Sequence, residues 1–248
     1  MRDRGPKVLR DRLRLVFGLL EGDRPKRILE IGCATGYFSR VLRGLAEQVV
    51  SVDINPDFVK EARRTTRGVR FHVGPAERLA FPGKDFDTVI FLDVLEHTLD
   101  PDKAIAQIHR KMSKGGRLYL SVPQKGWFAF LDVDNLRRAF RLHWPGLYEV
   151  LYRALTGKGR DPSTVAPRHR HYSLDEIERL LGGKFRVERD YQRGLLLYPL
   201  GLVLDPLVKR VPWVGGMLHE GLNVLMDLDF RIGYGDAGYN LLVVAVKR

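Results

Sequence analysis

The sequence predicts an α/β fold, in which a mostly parallel sheet is covered by helices on both faces. Apolar stretches of strand length alternate with amphipathic stretches of helix length in the first half of the chain. The connections between them are short, which is typical of parallel strands joined by helices. The composition suits a single domain over residues 1–248, because 44% of the residues are hydrophobic and can form one core.

The predicted elements follow one another in order along the chain. Five strands come first, at 27–31, 48–53, 69–73, 86–92 and 117–122. Helices alternate with them at 36–45, 56–66 and 101–112. After residue 123 the alternation ends, and the next helix begins at a capping box formed by Ser173 and Glu176 and continues to Leu181. Two last strands are predicted at 185–192 and 239–246.

A glycine-rich turn joins the first predicted strand to the first of these helices. The strand ends in Glu30 and Ile31, and residues 32–36 that follow read Gly-Cys-Ala-Thr-Gly. In such a turn, free backbone N–H groups and the helix N-terminus meet at one point that can receive a polar ligand. Asp53 ends the next strand, where its carboxylate can accept hydrogen bonds from both hydroxyls of a ribose. The turn and Asp53 together predict a nucleoside site.

The glycine spacing argues against a dinucleotide ligand. A dinucleotide-binding turn needs three glycines, but Ala34 and Tyr37 occupy the second and third positions. The pattern E-x-G-x-x-x-G, followed by an acidic strand end, instead resembles motifs I and II of class I S-adenosylmethionine (SAM)-dependent methyltransferases. This resemblance continues in order and spacing through segments at 74–82, 85–90, 95–97, 101–102 and 114–118.

The resemblance to class I SAM-dependent methyltransferases covers about residues 26–123, and within this class the chain is similar to the methyltransferases of ubiquinone and menaquinone biosynthesis. The resemblance implies a Rossmann-like, seven-stranded, mostly parallel sheet whose last two strands form an antiparallel pair. It also implies SAM as the cofactor and S-adenosylhomocysteine (SAH) as its product. One departure is Pro75, which stands where the family often has an Asp that contacts the adenine amine. Adenine recognition is then expected from the backbone near Ala76 and from apolar walls.

The residues expected to bind the cofactor are carried over from the family motifs. The amino-acid tail is assigned to Glu30 and to the turn that contains Gly32, Cys33 and Gly36. The ribose is assigned to Asp53. Ile54 and Ala76 are expected at the adenine, and Leu92 is expected on the sulfonium side of the cofactor. Glu77 is the remaining residue expected to bind the cofactor. An alternative for Glu30 is a purely structural role at the helix terminus.

Residues 124–172 form the first of two insertions into this frame. They combine aromatic residues, among them Trp127, Phe130 and Trp144, with interleaved arginines. Because ligands of open α/β sheets bind beyond the carboxyl ends of the strands, an aromatic insertion there is expected to form a lid over the site. The alternative is a helical hairpin whose aromatics only build its own core.

Residues 195–238 form the second insertion, which is the most apolar part of the chain. Pro199, Pro206 and Pro212 divide it into pieces too short to span a bilayer. It is expected to be an apolar flap that receives a greasy substrate or meets a lipid surface beside Trp213, Lys209 and Arg210. Ordinary core packing and a homodimer contact remain open for it.

The charge of the chain limits the kinds of partner that we expect. The net charge of +12 favours an anionic partner such as nucleic acid or a lipid surface. A basic amphipathic segment opens the chain, and it is interpreted either as a cap helix on the domain or as a surface-binding helix; its basic residues are Arg2, Arg4, Lys7, Arg10, Arg12 and Arg14. Nucleic acid is the less expected partner, because no amino-methylation motif and no RNA-binding module is recognised.

The single cysteine fits a reducing compartment, and the predicted location is cytoplasmic, with peripheral membrane contact left open.

Methyl transfer to a hydroxyl or amine requires alignment of the reactants and a proton acceptor. The candidate bases are Asp93, Glu96, His97, His169 and His171. His171 is preferred because it lies at the end of the lid insertion, and a neutral histidine accepts a proton near pH 7. By resemblance, the segment from Asp93 to His97 serves catalysis or a divalent metal, and a structural role for His97 stays open. No spacing is diagnostic of a metal site, and none is predicted.

The sequence therefore predicts a SAM-dependent methyltransferase that acts on a small or lipid-like acceptor, with oxygen as the preferred methylated atom. Two alternatives remain at this point. One is an RNA methyltransferase, which the positive charge favours. The other is a regulatory protein that binds SAM without transferring the methyl group.

Overall fold

The computed structural model describes residues 11–156, 169–208 and 215–248. Its centre is a seven-stranded sheet with the strand order β3-β2-β1-β4-β5-β7-β6. The strands are β1 (Arg27–Ile31), β2 (Gln48–Asp53), β3 (Arg70–Val73), β4 (Phe86–Leu92), β5 (Met112–Pro123), β6 (Phe185–Arg193) and β7 (Asn240–Lys247). Strands β1 to β5 pair in parallel, and β7 pairs antiparallel to both β5 and β6. The predicted fold class, a mostly parallel seven-stranded sheet with flanking helices, is confirmed.

Helices cover both faces of the sheet. They are α1 (Asp11–Asp23), α2 (Tyr37–Leu42), α3 (Pro56–Thr65), α4 (Pro101–Lys111), α5 (Val133–His143), α6 (Pro145–Thr156), α7 (Leu174–Leu181), α8 (Leu197–Val208) and α9 (Gly215–Arg231). Successive strand residues point to opposite faces. Thus Ile28 packs in a core with α1 and α2, whereas Leu29 packs in a larger core with α4 and α7.

Two boundaries differ from the expected ones by more than one residue. Helix α2 ends at Leu42 rather than at residue 45, because the N–H groups of Gly44 and Leu45 donate to carbonyls only three residues back and tighten the last turn. Strand β5 begins at Met112, five residues before the expected start. The segment 112–116 continues the strand through a register shift opposite Phe86 in β4, which local patterning does not reveal.

The carboxyl ends of the parallel strands meet at one edge of the sheet. Ile31 pairs with Val52 on one side and with Phe91 on the other, so the segments that follow β1, β2 and β4 emerge together. At the same edge, Pro123 and Arg193 both pair with Asn240 of β7. Both insertions, which follow β5 and β6, therefore leave the sheet on the side where ligands of this architecture bind.

The second insertion packs on the domain through one of its faces. Tyr198 of α8 and Met226 and Phe230 of α9 form a small buried core with Tyr239. Other apolar side chains of α9 are half exposed or more, among them Met217, Val224 and Leu228. Core packing thus accounts for part of this apolar segment. Residues 209–214, which include the expected lipid-contacting residues Lys209, Arg210 and Trp213, lie outside the described residues.

Helix α1 is part of the core. Val16 and Leu20 are fully buried against the sheet, and Arg14 forms an ion pair with Asp227 of α9 at 2.9 Å. Of the two interpretations of the basic segment, the cap helix agrees with this packing. The residues Arg2, Arg4, Lys7 and Arg10 lie outside the described residues. Among the described helices, none has the combination of length and apolar character needed to cross a membrane.

Candidate active site

The glycine turn between β1 and α2 needs its glycines for steric reasons. Gly32 has φ +82°, and a Cβ there would lie 2.1 Å from Val94 Cγ2. Gly36 has φ +79° at the N-cap of α2, and a Cβ there would lie 2.9 Å from Ala62 Cβ. L-residues with a side chain rarely adopt such φ values. The motif glycines therefore allow β1, α3 and the Val94 loop to approach one another closely.

Asp53 holds the turn in place. Its Oδ2 accepts a hydrogen bond of 2.7 Å from the Ala34 amide, and its Oδ1 accepts one of 2.9 Å from the Asn55 amide. Asn55 in turn caps α3. A carboxylate has about four acceptor sites, so Asp53 keeps lone pairs for a ligand on the cavity that it lines.

The turn offers fewer free amides than the sequence predicts. The amides of Gly32 and Cys33 both donate to the Val52 carbonyl, at 2.7 and 3.1 Å, and the Gly36 amide donates to the Cys33 carbonyl at 2.9 Å. The expectation of free N–H groups is wrong for these three residues and for Ala34. The Cys33 side chain is buried in a small cluster with Val59, Ala62 and Phe71 of α3 and β3.

Glu30 lies beneath the turn. Its Oε2 accepts hydrogen bonds from Ser39 Oγ at 2.5 Å and from Ser51 Oγ at 2.7 Å. Burial raises the pKa of Glu30 from 4.5 to about 7, although the two serine hydrogen bonds act in the opposite direction, and the charge of Asp53 adds a further increase. Glu30 therefore joins α2 to the sheet and changes its charge close to neutral pH.

A cavity of about 620 Å³ opens above the turn, and we call it the turn cavity. Five of the residues expected to bind the cofactor line it: Gly32, Asp53, Ile54, Ala76 and Glu77. The other expected residues, Glu30, Cys33, Gly36 and Leu92, do not belong to its lining. Ile54 is 70% exposed and Leu99 is 81% exposed on its walls. These side chains give an incoming ligand apolar surface to cover.

Asp93 lines the turn cavity with a strained backbone. Its φ is +50°, its Oδ1 accepts a 2.7 Å hydrogen bond from Ser121 Oγ, and its Oδ2 forms an ion pair with Arg12. Asp93 thus connects α1 and β5 at the edge of the cavity. The next carboxylate, Glu96, is buried and does not line the turn cavity, and its Oε2 has no hydrogen-bond partner among the described residues. Burial, followed by the charge of Asp93, raises the pKa of Glu96 well above its usual range.

A second cavity of about 1170 Å³ lies beside the first, and we call it the insertion cavity. Residues of the first insertion line most of it, including Phe130, Arg138, His169 and His171. His97 lines the turn cavity, and its ring contacts the ring of His169 edge to face, with the centroids 4.3 Å apart. The two cavities therefore meet at this pair of imidazoles.

Asp132 organises the histidines of the first insertion. It is the N-cap of α5, where Oδ1 accepts a 2.7 Å hydrogen bond from the Asn135 amide. The other carboxylate oxygen of Asp132, Oδ2, lies 3.3 Å from His169 Nδ1 and 3.0 Å from His171 Nε2. Burial opposes ionisation of Asp132, but these hydrogen bonds outweigh burial and hold its pKa well below the usual range.

The neighbours of His169 and His97 shift their pKa values in opposite directions. Burial favours the neutral form of His169, but its hydrogen bond to Asp132 and the nearby carboxylate charges outweigh burial and raise its pKa. Burial, together with the adjacent charge of His169, lowers the pKa of His97. Sequence reasoning proposed both histidines but missed Asp132, which lies 37 residues before His169. The only local signal for Asp132 is its place three residues before Asn135, because an Asp in that position can cap the N-terminus of a helix.

Within the described parts of the chain, no group of three or more His, Cys, Asp or Glu side chains has the geometry to hold a metal ion.

Comparison with known proteins assigns the family. A family model described as a methyltransferase domain matches residues 1–183. The chain therefore belongs to this methyltransferase-domain family, and the predicted family resemblance is confirmed. The ubiquinone biosynthesis O-methyltransferase of Xanthomonas oryzae pv. oryzae (strain PXO99A) is 34% identical over 109 residues. This match covers 42% of the chain and 46% of that protein, so it spans about half the length of the curated relative.

Solved structures share the fold at lower sequence identity. An S-adenosylmethionine-dependent methyltransferase from Mesorhizobium loti aligns with a TM-score of 0.59 and 16% identity, covering 94% of this chain and 96% of that chain. The N-methyltransferase NodS from Bradyrhizobium japonicum WM9, solved with SAH, aligns with a TM-score of 0.54 and 14% identity over 95% and 85% of the two chains. These similarities support the fold assignment.

Proposed function

We propose that the chain is a class I SAM-dependent methyltransferase that transfers the methyl group to oxygen of a small or lipid-like acceptor. The observation that carries this proposal is the junction of two cavities at His97 and His169. One cavity lies at the motif turn, and the other lies under the first insertion. Such an arrangement gives a donor and an acceptor separate sites with a shared border, as in-line transfer requires. Family membership and the SAM-binding fold neighbours support the same assignment.

SAM fits the side chains that line the turn cavity. Its volume lies within the range of about 300–1,000 Å³ that is typical of ligand pockets. Asp53 is proposed to accept both ribose hydroxyls, with Ile54 and Ala76 against the adenine. The Gly32 turn would receive the amino-acid tail, with Glu30 providing negative charge beneath it. The cofactor supplies an electrophilic methyl group on a sulfonium, so the protein contributes position, exclusion of water and proton transfer.

His169 is the proposed general base. Asp132 faces Nδ1 of its ring, an arrangement that holds the proton on Nδ1 and leaves Nε2 as the acceptor in the neutral form. His169 also contacts His97 at the border of the turn cavity, whereas His171, the residue preferred from sequence, lies on the insertion cavity with its Nε2 directed to Asp132. His171 and His97 then position the base, and Asp93 holds the loop that carries His97.

A lipid-like acceptor is supported by the apolar surface of the insertions. Trp127, Phe130 and Trp144 are each more than half exposed around the first insertion. Such side chains can cover an apolar acceptor or rest on the lipid interface that holds it. We therefore propose that the enzyme is cytoplasmic and contacts the membrane peripherally through this surface. The alternative is that the same surface forms a homodimer.

Calorimetric titration with SAH tests the proposed function. Wild-type protein is expected to bind SAH, and Asp53→Ala is expected to weaken binding by at least about tenfold because the ribose loses its acceptor. Asp53→Asn, which keeps one acceptor oxygen for the turn, guards against simple unfolding and should also weaken binding. Asp102→Ala, an exposed carboxylate in the first turn of α4, is the matched control and should bind like wild type.

Three outcomes would contradict the proposal. A folded wild-type protein that does not bind SAH would exclude SAM-dependent transfer at this site. Equal affinities of the Asp53 variants and Asp102→Ala would exclude the proposed ribose contact. Binding of SAH without methyl transfer to any hydroxylated acceptor would favour the regulatory alternative.

A further inference from the structure

The insertion cavity has an excess of positive charge. Three cationic side chains line it, Lys125, Arg138 and Arg170, against one carboxylate, Glu176. Lys125 already forms an ion pair with Glu176 at 2.5 Å. Within the described residues, neither Arg138 nor Arg170 forms an ion pair with a carboxylate. The Arg138 guanidinium is therefore available to an anion that enters the cavity, and Arg170, which also interacts with the Tyr172 hydroxyl, adds positive charge to the same wall.

Two buried nitrogen atoms of residues at this cavity have no hydrogen-bond partner among the described residues. They are Arg138 Nε and His169 Nε2, and the only contact of either atom with a carboxylate in the described part of the chain is the 3.6 Å ion-pair contact of His169 Nε2 with Asp134 Oδ2. A buried polar atom without a partner is unfavourable, so each of these atoms calls for a partner that the described residues do not supply. Arg138 Nε can only donate, which calls for an acceptor oxygen. The neutral His169 ring can accept at Nε2, which calls for a hydroxyl.

We propose that the insertion cavity binds an acceptor that carries an anionic group, a carboxylate or a phosphate, in addition to the hydroxyl that is methylated. This inference rests on the proposed function, because it names the class of acceptor for the same site. Arg138 binds the anionic oxygens through its planar guanidinium, assisted by Arg170, while the hydroxyl lies at His169 beside His97. A guanidinium suits carboxylate and phosphate oxygens equally well because its donors form a fixed fork.

The remaining wall of the cavity suits an aromatic or aliphatic body between the two polar ends. Phe130, Leu136 and Ala139 supply its apolar surface. The volume of about 1170 Å³ exceeds what a small acid alone would fill. The anion is therefore either part of a free metabolite-sized acid or the phosphate of a lipid headgroup, and the experiment separates the two sources.

Direct binding to the full chain in the presence of SAH tests the proposal. The soluble probes are 3,4-dihydroxybenzoate and phenyl phosphate, with 3,4-dihydroxybenzamide as the uncharged control, all at millimolar concentration. The lipid probes are vesicles of phosphatidylglycerol, with phosphatidylcholine vesicles as the control. We expect dihydroxybenzoate to bind about tenfold more tightly than its amide, or phosphatidylglycerol about tenfold more tightly than phosphatidylcholine.

Variants of Arg138 assign the effect to this cavity. Arg138→Gln is expected to remove the preference for the anionic probe, and Arg138→Lys, which keeps the charge but loses the fork, to restore part of it. Arg110→Gln removes one positive charge from an exposed position on α4 and should leave the preference unchanged. Thermal unfolding of each variant checks that it is folded.

The outcomes separate this inference from the proposed function. Equal binding of charged and uncharged probes, equal effects of Arg138→Gln and Arg110→Gln, or no binding of any anionic probe while SAH still binds would each overturn the anionic acceptor alone. Failure of SAH to bind the folded wild type would overturn the proposed function instead.

Discussion

At the scale of single residues, the site depends on carboxyl groups whose charge is set by their surroundings. Glu30 and Asp53 lie on neighbouring strands beneath one turn, but their hydrogen bonds differ. Asp53 accepts two backbone amides and stays on the cavity wall, whereas Glu30 accepts two serine hydroxyls and is buried. A buried carboxyl favours its neutral form, so Glu30 is expected to bind a proton more tightly in the folded chain than in the unfolded chain.

Glu30→Gln should stabilise the protein without ligand at alkaline pH. The folded-state pKa of about 7 lies above the unfolded value of 4.5, so the stability of the wild type falls as pH rises through this interval. Gln stays neutral and still accepts from Ser39 and Ser51. Urea unfolding should give similar free energies at pH 5 and a variant more stable by about 2–3 kcal/mol at pH 8.

The same variant separates stability from ligand binding. Glu30→Gln removes the negative charge beneath the turn, so SAH should bind it more weakly than the wild type at pH 8. A free-energy difference that is the same at pH 5 and pH 8 would show that Glu30 does not titrate in this interval.

The residue motifs predicted part of the site. Gly32, Asp53 and Ile54 were expected at the ligand because motif spacing fixes them relative to strand ends, and each lines the turn cavity. Asp132 was not singled out, because its histidine partners are tens of residues away along the chain, and Arg138 was noted only as one of the arginines interleaved with the aromatic residues of the first insertion. The amides of the turn donate hydrogen bonds to Val52 and Asp53 because of the register between β1 and β2, which the sequence does not reveal.

At the scale of elements, α1 joins the first described residues of the chain to the sheet. Helix α1 places Leu20 in the core and Arg12 on Asp93, so it belongs to the domain although its sequence is that of a basic surface helix. Basic residues on an amphipathic helix do not distinguish these two roles, because both need one apolar face. Packing of that face against β1 and α2 makes the distinction.

Leu20→Ala should destabilise the protein by about 2–4 kcal/mol, because it removes a fully buried side chain and leaves a cavity. Leu19→Ala makes the same change one residue earlier on the same helix, at a partly exposed position, and should cost about 1 kcal/mol. Chemical unfolding of both variants measures the difference. Equal losses would mean that α1 is not packed as described.

Asp132→Asn should lower the pKa of His169. The side-chain amide that replaces the carboxylate keeps an oxygen, which can accept the hydrogen bond from the backbone N–H of Asn135 and cap α5. The substitution removes the negative charge that raises the pKa of His169. Proton NMR titration of the histidine ring, assigned with His169→Gln, measures the change. Asp134→Asn is the control, because its side chain is 58% exposed and its carboxylate lies 3.6 Å from Nε2, so its effect should be smaller. Equal shifts in both variants would contradict the assigned role of Asp132.

At the scale of the whole molecule, the order of elements made the sheet predictable. Alternation with short connections leaves few arrangements for strands β1 to β5, and the family motifs placed the antiparallel pair β6 and β7. The insertions were located by the break in that alternation. A helical hairpin was the alternative for the first insertion, but the bounds of its helices and its cavity were not predicted. Those features depend on contacts between α5, the residues around His169 and the sheet edge, which are distant in sequence.

The central claim is that the two cavities hold donor and acceptor on either side of the His97 and His169 pair. A crystal structure of the full chain with SAH tests it most directly. We expect the ribose on Asp53, the adenine against Ile54, and the SAH sulfur directed toward the insertion cavity beside His97. SAH bound elsewhere, or with its sulfur facing away from the histidine pair, would contradict it.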